Sequence, residues 1–211
     1  MESRIEDIGS VSFPAYGGTR IMMMPFHSHD PEGSIPEALS RYRDLVRVLV
    51  ERIEAEAGVA YLTIDEAVVA AGETHRRPGL HVDGGEARAW GGGAAWAGSF
   101  HGGFVLASSE TGCRGWVGSL DGEAVGCGGC EHLRPHLNTL EEIVMLPNRA
   151  YWCNTTALHE SLPHERETRR QFLRISTPNN YPWYEGYTEN PLGIHPTGNI
   201  LPRREFMDYR P

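Results

Sequence analysis

Short apolar runs separated by glycine-rich or polar turns fill the chain from residue 74 onward. Runs bounded in this way are typical of strands, and their close succession is typical of an antiparallel sandwich or barrel. Before them, VAYLTI predicts a strand and DEAVVAAG a short helix or turn. We predict a mainly β (α+β) fold with a β core over residues 60–177. The runs are RRPGLHVD, SFHGGFVLASS, RGWVGSL, EIVMLPN, AYWCNTTALH and RQFLRIST.

One long amphipathic helix precedes these runs. Ser34 and Glu37 form a capping-box pattern, and Pro36 is tolerated in a first helical turn. Gly58 is a typical residue just beyond a helix C-terminus. We predict a supporting helix over about residues 34–57 that packs one face on the outside of the sheet. Apolar residues recur at helical spacing at Ile35, Leu39, Tyr42, Leu45, Val46, Leu49 and Ile53.

The two ends of the chain differ from this core. Residues 1–32 are rich in turns, which predicts an irregular N-terminal arm with one or two short strands. Its His27-Ser28-His29-Asp30 stretch precedes a Pro-Glu-Gly-Ser turn, which favours a solvated loop over a metal cluster. Residues 178–211 combine prolines with aromatic side chains, which favours an ordered C-terminal arm over disorder. We predict a single domain over residues 1–211, with this arm as a lid or a homodimer contact.

Charge and hydropathy argue against two classes of partner. The formal net charge is −9 and there is no basic stripe, so we expect no nucleic-acid partner. No run of about 18 apolar residues occurs, so we expect no membrane span. The opening MESRIEDIGS is acidic and lacks an apolar segment, so it does not resemble a secretory signal. The expectation is a cytoplasmic protein.

Several catalytic chemistries are excluded by what the chain lacks. All 19 basic residues are arginine, so there is no Schiff-base lysine and no Walker-type phosphate loop. No G-x-S-x-G nucleophile elbow occurs either. Cys127 and Cys130 form a lone C-x-x-C, and His132 and His136 follow too closely for a zinc finger. We predict a glycine-rich turn with buried thiols there.

His81 and Asp83 stand two residues apart in a predicted strand. Alternation along a strand directs both side chains to one face and Val82 to the other, as a chelating pair requires. Ten histidines and seven aspartates in 211 residues give about 0.3 such pairs by chance, so one pair alone is weak support. A third ligand must come from a distant strand, and His159, near the end of AYWCNTTALH, is the candidate.

The run QFLRIS carries a second polar face. Strand alternation places Phe172, Arg174 and Ser176 on one face, with Leu173 and Ile175 on the other. A buried arginine in an apolar strand needs an anionic partner. Arg174 with Ser176 beside it would therefore bind a carboxylate through a charge-assisted pair and a hydroxyl. Taken singly, the candidate histidine could equally be a core residue, and Arg174 could pair with an Asp or Glu of the chain.

The ordered set His81-x-Asp83, His159 and Arg174-x-Ser176 resembles the Fe(II)/2-oxoglutarate-dependent dioxygenases. The resemblance covers the six β-like runs and implies a double-stranded β-helix, or jelly-roll barrel. It implies that His81, Asp83 and His159 bind Fe(II), that Arg174 and Ser176 bind the distal carboxylate of 2-oxoglutarate, and that no further catalytic residue is needed. O2 would be the oxidant, with release of succinate and CO2. Two histidines and one carboxylate with open positions are the ligands of non-haem Fe(II) oxygenases.

The resemblance leaves the substrate open. Arg77 shares strand parity with His81, and an inward arginine beyond those for 2-oxoglutarate indicates a small, carboxylate-bearing, amino-acid-like substrate, as in natural-product biosynthesis. The reaction would be hydroxylation, desaturation or oxidative cyclisation, since the metal ligands do not choose among them. Further substrate candidates are Arg114, Trp116 and Asn154, and Trp90, Trp96 and Trp152 are pocket or core aromatics.

Two other functional classes stay open. A cupin-like metal-dependent isomerase or hydrolase would share the β core and the His/Asp ligands but would not need Arg174 and Ser176. A non-enzymatic binding module would use the β-sandwich as an interaction surface and the C-terminal arm as a clasp. If the protein is such a binding module, we expect it to bind no stoichiometric metal ion.

Overall fold

The computed structural model describes residues 1–83, 103–125, 128–178, 183–197 and 200–201. Strands dominate these ranges, which confirms the mainly β prediction. The helices are α1 (Pro31–Ser34), a 3₁₀ helix (Glu37–Tyr42), α2 (Arg43–Arg52) and a second 3₁₀ helix (Glu131–Thr139). The strands are β1 (Glu2–Ser3), β2 (Ile5–Ser10), β3 (Arg20–His27), β4 (Val59–Val69), β5 (Phe104–Ser108), β6 (Cys113–Ser119), β7 (Glu141–Val144), β8 (Arg149–Cys153), β9 (Leu158–Ser161), β10 (Thr168–Ser176), β11 (Trp183–Tyr184) and β12 (Ile200–Leu201).

Six strands form the larger sheet in the order β2-β8-β5-β10-β4-β3, and every neighbouring pair is antiparallel. Leu173 and Ile175 of β10 lie on the face that packs against α2. Phe172 lies on the other face, in a core that contains residues of both main sheets. The alternation predicted for this strand is therefore confirmed, and it leaves Arg174 on the inner face with Phe172.

The smaller sheet is built around β6, which pairs antiparallel with β1, β7 and β9. His81 extends it through isolated antiparallel bridges to His159 of β9 and to Gly129. The run RRPGLHVD thus contributes one bridged residue, His81, and not a full strand, because Pro78 has no N–H and Gly79 has a φ of 77°. Within the described ranges the two sheets stay separate and do not close into a barrel.

The single helix predicted over residues 34–57 is wrong. Ile35 is extended (φ −94°, ψ 122°), because Pro36 disfavours the helical conformation of the residue before it. Ser34 therefore ends the short α1, which the Asp30 side chain caps, instead of opening a long helix. The chain then continues through the first 3₁₀ helix into α2, which keeps the predicted position against the outer face of the sheet.

The end of this helical region and the next strand also differ from the prediction. Glu54 has a φ of 48°, so the helix stops before Gly58 is reached. DEAVVAAG, predicted as a short helix or turn, instead continues β4 through Val69, with Asp65 and Glu66 buried in it. No helix of the described residues is long and apolar enough to cross a membrane.

Both chain ends contain ordered segments that pack on the core. Residues 1–32, predicted as an irregular arm, hold β1, β2 and β3, and the last two are the edges of the larger sheet. In the C-terminal segment, the Thr188 N–H donates to the Met22 carbonyl oxygen at 2.7 Å, and the Asn190 side chain donates to the Pro25 carbonyl oxygen at 2.8 Å. This part of the predicted C-terminal arm therefore lies along β3.

Candidate metal centre

His81 and His159 are direct cross-strand neighbours. Each N–H donates to the carbonyl oxygen of the other residue, both at 3.0 Å. This reciprocal pair fixes the register of two segments that lie far apart in the sequence. Val82 points into an apolar core with residues of the second 3₁₀ helix. His81 and Asp83 therefore share the opposite face, where both line a cavity.

The ring of each histidine is oriented by the backbone two residues before it. Nδ1 of His81 lies 2.7 Å from the Gly79 carbonyl oxygen, and Nδ1 of His159 lies 2.9 Å from the Ala157 carbonyl oxygen. Because a carbonyl oxygen can only accept a hydrogen bond, Nδ1 is the nitrogen that carries the proton when either ring binds a metal through Nε2. Nε2 keeps its lone pair in both, which is the state that a metal ligand needs.

His81, Asp83 and His159 form a compact cluster. One ligand atom from each lies within 4.8 Å of the others, and Nε2 of His159 is 3.8 Å from Oδ2 of Asp83. The two ring centroids are 4.3 Å apart, and the histidines are only 4% and 5% exposed. No other group of this kind occurs among the residues that the structure describes, His27 and His29 included.

Burial and neighbouring charges set the protonation of the cluster. Burial lowers the pKa of His81 to about 3, and the nearby His159 acts in the same direction. Burial raises the pKa of Asp83, but Arg174 and the two histidines outweigh burial and hold the pKa below its ordinary value. At neutral pH the cluster therefore holds a neutral His81 and an ionised Asp83, the states that metal binding requires.

The cluster lies on the wall of a cavity of about 220 Å³. One water molecule needs only about 10–15 Å³, so an organic molecule has room beside an ion. Arg76 and Arg77 of the segment before His81 also line the cavity, as do Leu106 and Phe172 of the larger sheet. A concave site that combines apolar side chains with converging polar and charged groups is typical of small-molecule binding.

Arg174 lies beside the cluster and is 6% exposed, whereas Ser176, which is 1% exposed on the same strand, does not line the cavity. Nη1 of Arg174 is 3.2 Å from Oδ2 of Asp83, and its guanidinium lies 4.8 Å from the centre of the Phe104 ring. Arg174 thus balances the charge of Asp83. The Ser176 hydroxyl is buried without a hydrogen-bond partner among the described residues.

A second buried arginine, which the sequence analysis missed, lies on the same face of β10. Arg170 is 0% exposed, and its Nε donates to the Ser108 hydroxyl at 2.8 Å while its Nη2 lies 3.4 Å from the Cys113 sulfur. Its Nη1 has no hydrogen-bond partner in the described part of the chain. The two-residue spacing from Arg170 through Phe172 to Arg174 was the sequence signal that could have identified it.

The predicted substrate residues separate into two groups. Arg77 lines the cavity. Arg114 pairs with Glu160 at 2.7 Å and stacks on Trp116, while Asn154 hydrogen-bonds the backbone of the N-terminal strands. Arg114, Trp116 and Asn154 do not line this cavity.

Other predicted features lie away from the cavity or outside the described residues. Trp90, Trp96 and Cys127 fall in segments that the structure does not describe. Trp152 belongs to the core between the larger sheet and α2. Cys130 is buried, as predicted, and burial raises the pKa of its thiol to about 11, so it stays protonated at neutral pH.

Asp65 is a second polar group that the sequence analysis did not identify. It is 3% exposed and lies 2.8 Å from Arg76, 2.9 Å from Arg20 and 3.4 Å from Nε2 of His75. These contacts tie the segment that precedes His81 to β4. An acidic residue in the middle of an apolar strand was the only signal in the sequence.

Two imidazoles with preset tautomers and one ionised carboxylate at the edge of a cavity can bind a metal ion. Comparisons with known proteins gave no match: no protein-family model, no curated protein and no solved structure matches this chain. The case for a metal centre therefore rests on the geometry of the site.

Proposed function

We propose that the protein is an Fe(II)- and 2-oxoglutarate-dependent oxygenase acting on an unactivated C–H bond of a small, carboxylate-bearing substrate. The observation that carries the proposal is the buried cluster of His81, Asp83 and His159, with both Nε2 atoms available, on the wall of a cavity. Two histidines and one carboxylate with open positions are the ligand set of non-haem Fe(II) oxygenases.

The pairing of the core segments supports a jelly-roll fold around this site. Eight segments follow in order: β4, the His81 bridge, β5, β6, β7, β8, β9 and β10. The first pairs with the eighth, the second with the seventh, the third with the sixth and the fourth with the fifth. A long hairpin wound over two sheets has this nested pairing, and eight strands in two sheets are typical of a jelly roll.

The residues of the chain would bind, orient and exclude water. Nε2 of His81, Nε2 of His159 and the Asp83 carboxylate would hold the metal from one side, which leaves the cavity side for ligands. Leu106 and Phe172 would keep water from the reacting C–H bond. When bound, Fe(II) and 2-oxoglutarate would supply the oxidation: for hydroxylation, one oxygen atom of O2 enters the substrate and the other enters succinate, with loss of CO2.

Two arginines of β10 are candidates for the distal carboxylate of 2-oxoglutarate. Arg174 with Ser176 is the predicted pair: Arg174 lines the cavity, while the Ser176 hydroxyl is buried without a described partner and does not line it. Arg170 is the alternative, because its buried Nη1 also lacks a described partner. The small pocket lined by Arg170 shares Leu106, Cys113 and Phe172 with the main cavity. The substitution that weakens 2-oxoglutarate binding without weakening Fe(II) binding identifies the anchor.

Arg77 is the proposed substrate contact. It lies on the cavity wall near the metal ligands, where its guanidinium would pair with a substrate carboxylate. The proposal covers hydroxylation, desaturation and oxidative cyclisation alike, because the position of the substrate decides among them.

One observation favours a second candidate function. Arg174 lies 3.2 Å from Oδ2 of Asp83, so its charge is balanced within the site without a cosubstrate. A cupin-like metal-dependent isomerase or hydrolase would use His81, Asp83 and His159 in this arrangement and would not need 2-oxoglutarate.

Anaerobic titration with Fe(II) and then with 2-oxoglutarate tests the proposal. We expect stoichiometric metal binding and a weak visible charge-transfer band that is absent in His81→Ala. His27→Ala removes a histidine outside the cluster and should keep the band. Fe(II) binding without a band would favour the isomerase or hydrolase. No metal binding would contradict the metal centre and favour a non-enzymatic module.

A further inference from the structure

The two ligand-bearing segments are connected a second time, through side chains of the second 3₁₀ helix. His81 and His159 pair through their backbones. Their chain neighbours, Leu80 and Glu160, are both contacted by residues of Glu131–Thr139. Because side chains alternate along β9, Glu160 points away from the cavity that His159 faces.

Arg134 is the centre of this connection. Its Nη2 donates to Oε2 of Glu160 at 2.6 Å, its Nε donates to Oε2 of Glu131 at 2.7 Å, and its Nη2 also donates to Oε1 of Glu131 at 2.8 Å. Oε1 of Glu131 in turn accepts the Leu80 N–H at 2.5 Å. A chain of charge-assisted hydrogen bonds thus joins the residue before one histidine ligand to the residue after the other.

The Glu131 carboxylate accepts the hydrogen bond that a backbone carbonyl oxygen of a neighbouring strand would otherwise accept from the Leu80 N–H. The Leu80 carbonyl oxygen accepts from the Cys130 N–H at 2.9 Å, and the Val82 N–H donates to the Gly128 carbonyl oxygen at 2.9 Å. The Leu80 N–H has the Glu131 side chain as its acceptor. His81 is the only bridged residue of the ligand segment within the described residues. The position of this segment therefore depends on few contacts, and the hydrogen bond from the Leu80 N–H to Glu131 is one of them.

Glu160 is the last residue of this chain of hydrogen bonds, on the side of His159. Its side chain is 8% exposed, and it also accepts a hydrogen bond from Nε of Arg114 at 2.7 Å. A nearly buried carboxylate held by two arginines has little freedom to move, so Arg134 is fixed relative to β9. Arg134 itself is 38% exposed and can be substituted without opening the core.

We infer that Arg134 is a positioning residue which, through Glu160 and Glu131, sets the spacing of His81 and His159 and thereby the affinity of the site for a divalent metal ion. The inference rests on the metal centre of the proposed function. It concerns the placement of the ligands and holds whichever reaction the metal supports.

Co(II) titration of the metal-free protein tests it, read from affinity and from the visible spectrum of the bound ion. Partners that orient metal ligands typically contribute about 10–100-fold in affinity, so Arg134→Gln is expected to weaken Co(II) binding roughly 10-fold and to shift the spectrum. Arg134→Lys keeps the positive charge, so its Co(II) affinity and its spectrum should lie between those of Arg134→Gln and the wild type. Arg149→Gln is the matched control: it removes an arginine of similar exposure, 36%, that pairs with Asp7 in the larger sheet, and it should bind Co(II) as the wild type does.

Amide hydrogen exchange of the metal-free proteins is a second, independent measurement. Exchange at Leu80 and His81 should be faster in Arg134→Gln and unchanged in Arg149→Gln. Wild-type Co(II) affinity in Arg134→Gln would overturn the inference alone and leave the metal centre standing. A wild-type protein that binds no Co(II) would overturn the metal centre and the inference with it.

Discussion

Arg170 and Arg174 are buried on one face of β10 and differ in what balances their charge. Arg174 lies 3.2 Å from the Asp83 carboxylate. Arg170 contacts the Ser108 hydroxyl and the Cys113 sulfur, and no described carboxylate forms an ion pair with it. A buried charge without a counter-charge destabilises the folded state, so a bound anion would stabilise the protein at this position.

Arg170→Met and Arg174→Met should therefore change stability in opposite directions. Arg170→Met removes a charge that has no counter-charge among the described residues and is expected to raise the free energy of unfolding by about 1 kcal/mol. Arg174→Met leaves Asp83 without its partner and is expected to lower it by about 3 kcal/mol. Urea unfolding of the metal-free proteins measures both. Strong destabilisation by Arg170→Met would show that a counter-charge is present.

Strand alternation predicted part of the site from the sequence. It placed His81 and Asp83 on one face, and both line the cavity; of the predicted pair on β10, Arg174 lines the cavity and Ser176 does not. The proton positions on the two histidines were not predictable. They depend on carbonyl oxygens two residues earlier, and only the folded backbone orients these toward the rings.

Glu66 shows why the sequence pattern of one segment can predict the wrong secondary structure for that segment. The run DEAVVAAG favours a helix or turn because acidic residues are unfavourable inside a strand. In the structure the Glu66 carboxylate accepts from the Gly17 and Thr19 N–H groups, from the Tyr42 hydroxyl at 2.5 Å and from the Gln171 side chain at 2.9 Å. These partners come from three other parts of the chain, so no local window contains them.

The same contacts predict a pH dependence of stability. Burial raises the pKa of Glu66, but hydrogen bonds from Tyr42 and from the Thr19 and Gly17 N–H groups outweigh it and lower the pKa from 4.5 to about 2. The unfolded chain then binds the proton more readily than the folded protein. The stabilisation is complete above pH 4.5 and is lost as the pH falls toward 2.

Glu66→Gln should remove this contribution, about 3 kcal/mol at neutral pH, and reduce the loss of stability between pH 4.5 and 2. Urea unfolding across this range measures it, with the exposed Glu37→Gln as the control. Identical pH profiles for Glu66→Gln and the wild type would contradict the assignment.

The wrong prediction of one long helix over residues 34–57 also has a specific cause. The apolar residues of 34–57 recur at helical spacing. This spacing gives no sign that Pro36 forces Ile35 into an extended conformation. The predicted packing against the sheet is nevertheless correct, because the apolar side chains of α2 contact the larger sheet.

For the molecule as a whole, the nested pairing of the core is what creates the site. His81 belongs to the second segment of the core and His159 to the seventh, and they meet because those two segments pair. The sequence predicts the β-like runs but not their partners, because pairing joins residues far apart in the chain. AYWCNTTALH, one run in the sequence, becomes β8 and β9 in different sheets.

Iron-edge anomalous diffraction from crystals grown anaerobically with Fe(II) is the decisive test of the metal centre. We expect one strong peak within coordination distance of Nε2 of His81, Nε2 of His159 and the Asp83 carboxylate, with both Nδ1 atoms still hydrogen-bonded to the backbone. The absence of a peak there in crystals that contain Fe(II), or a peak coordinated by other residues, would contradict it.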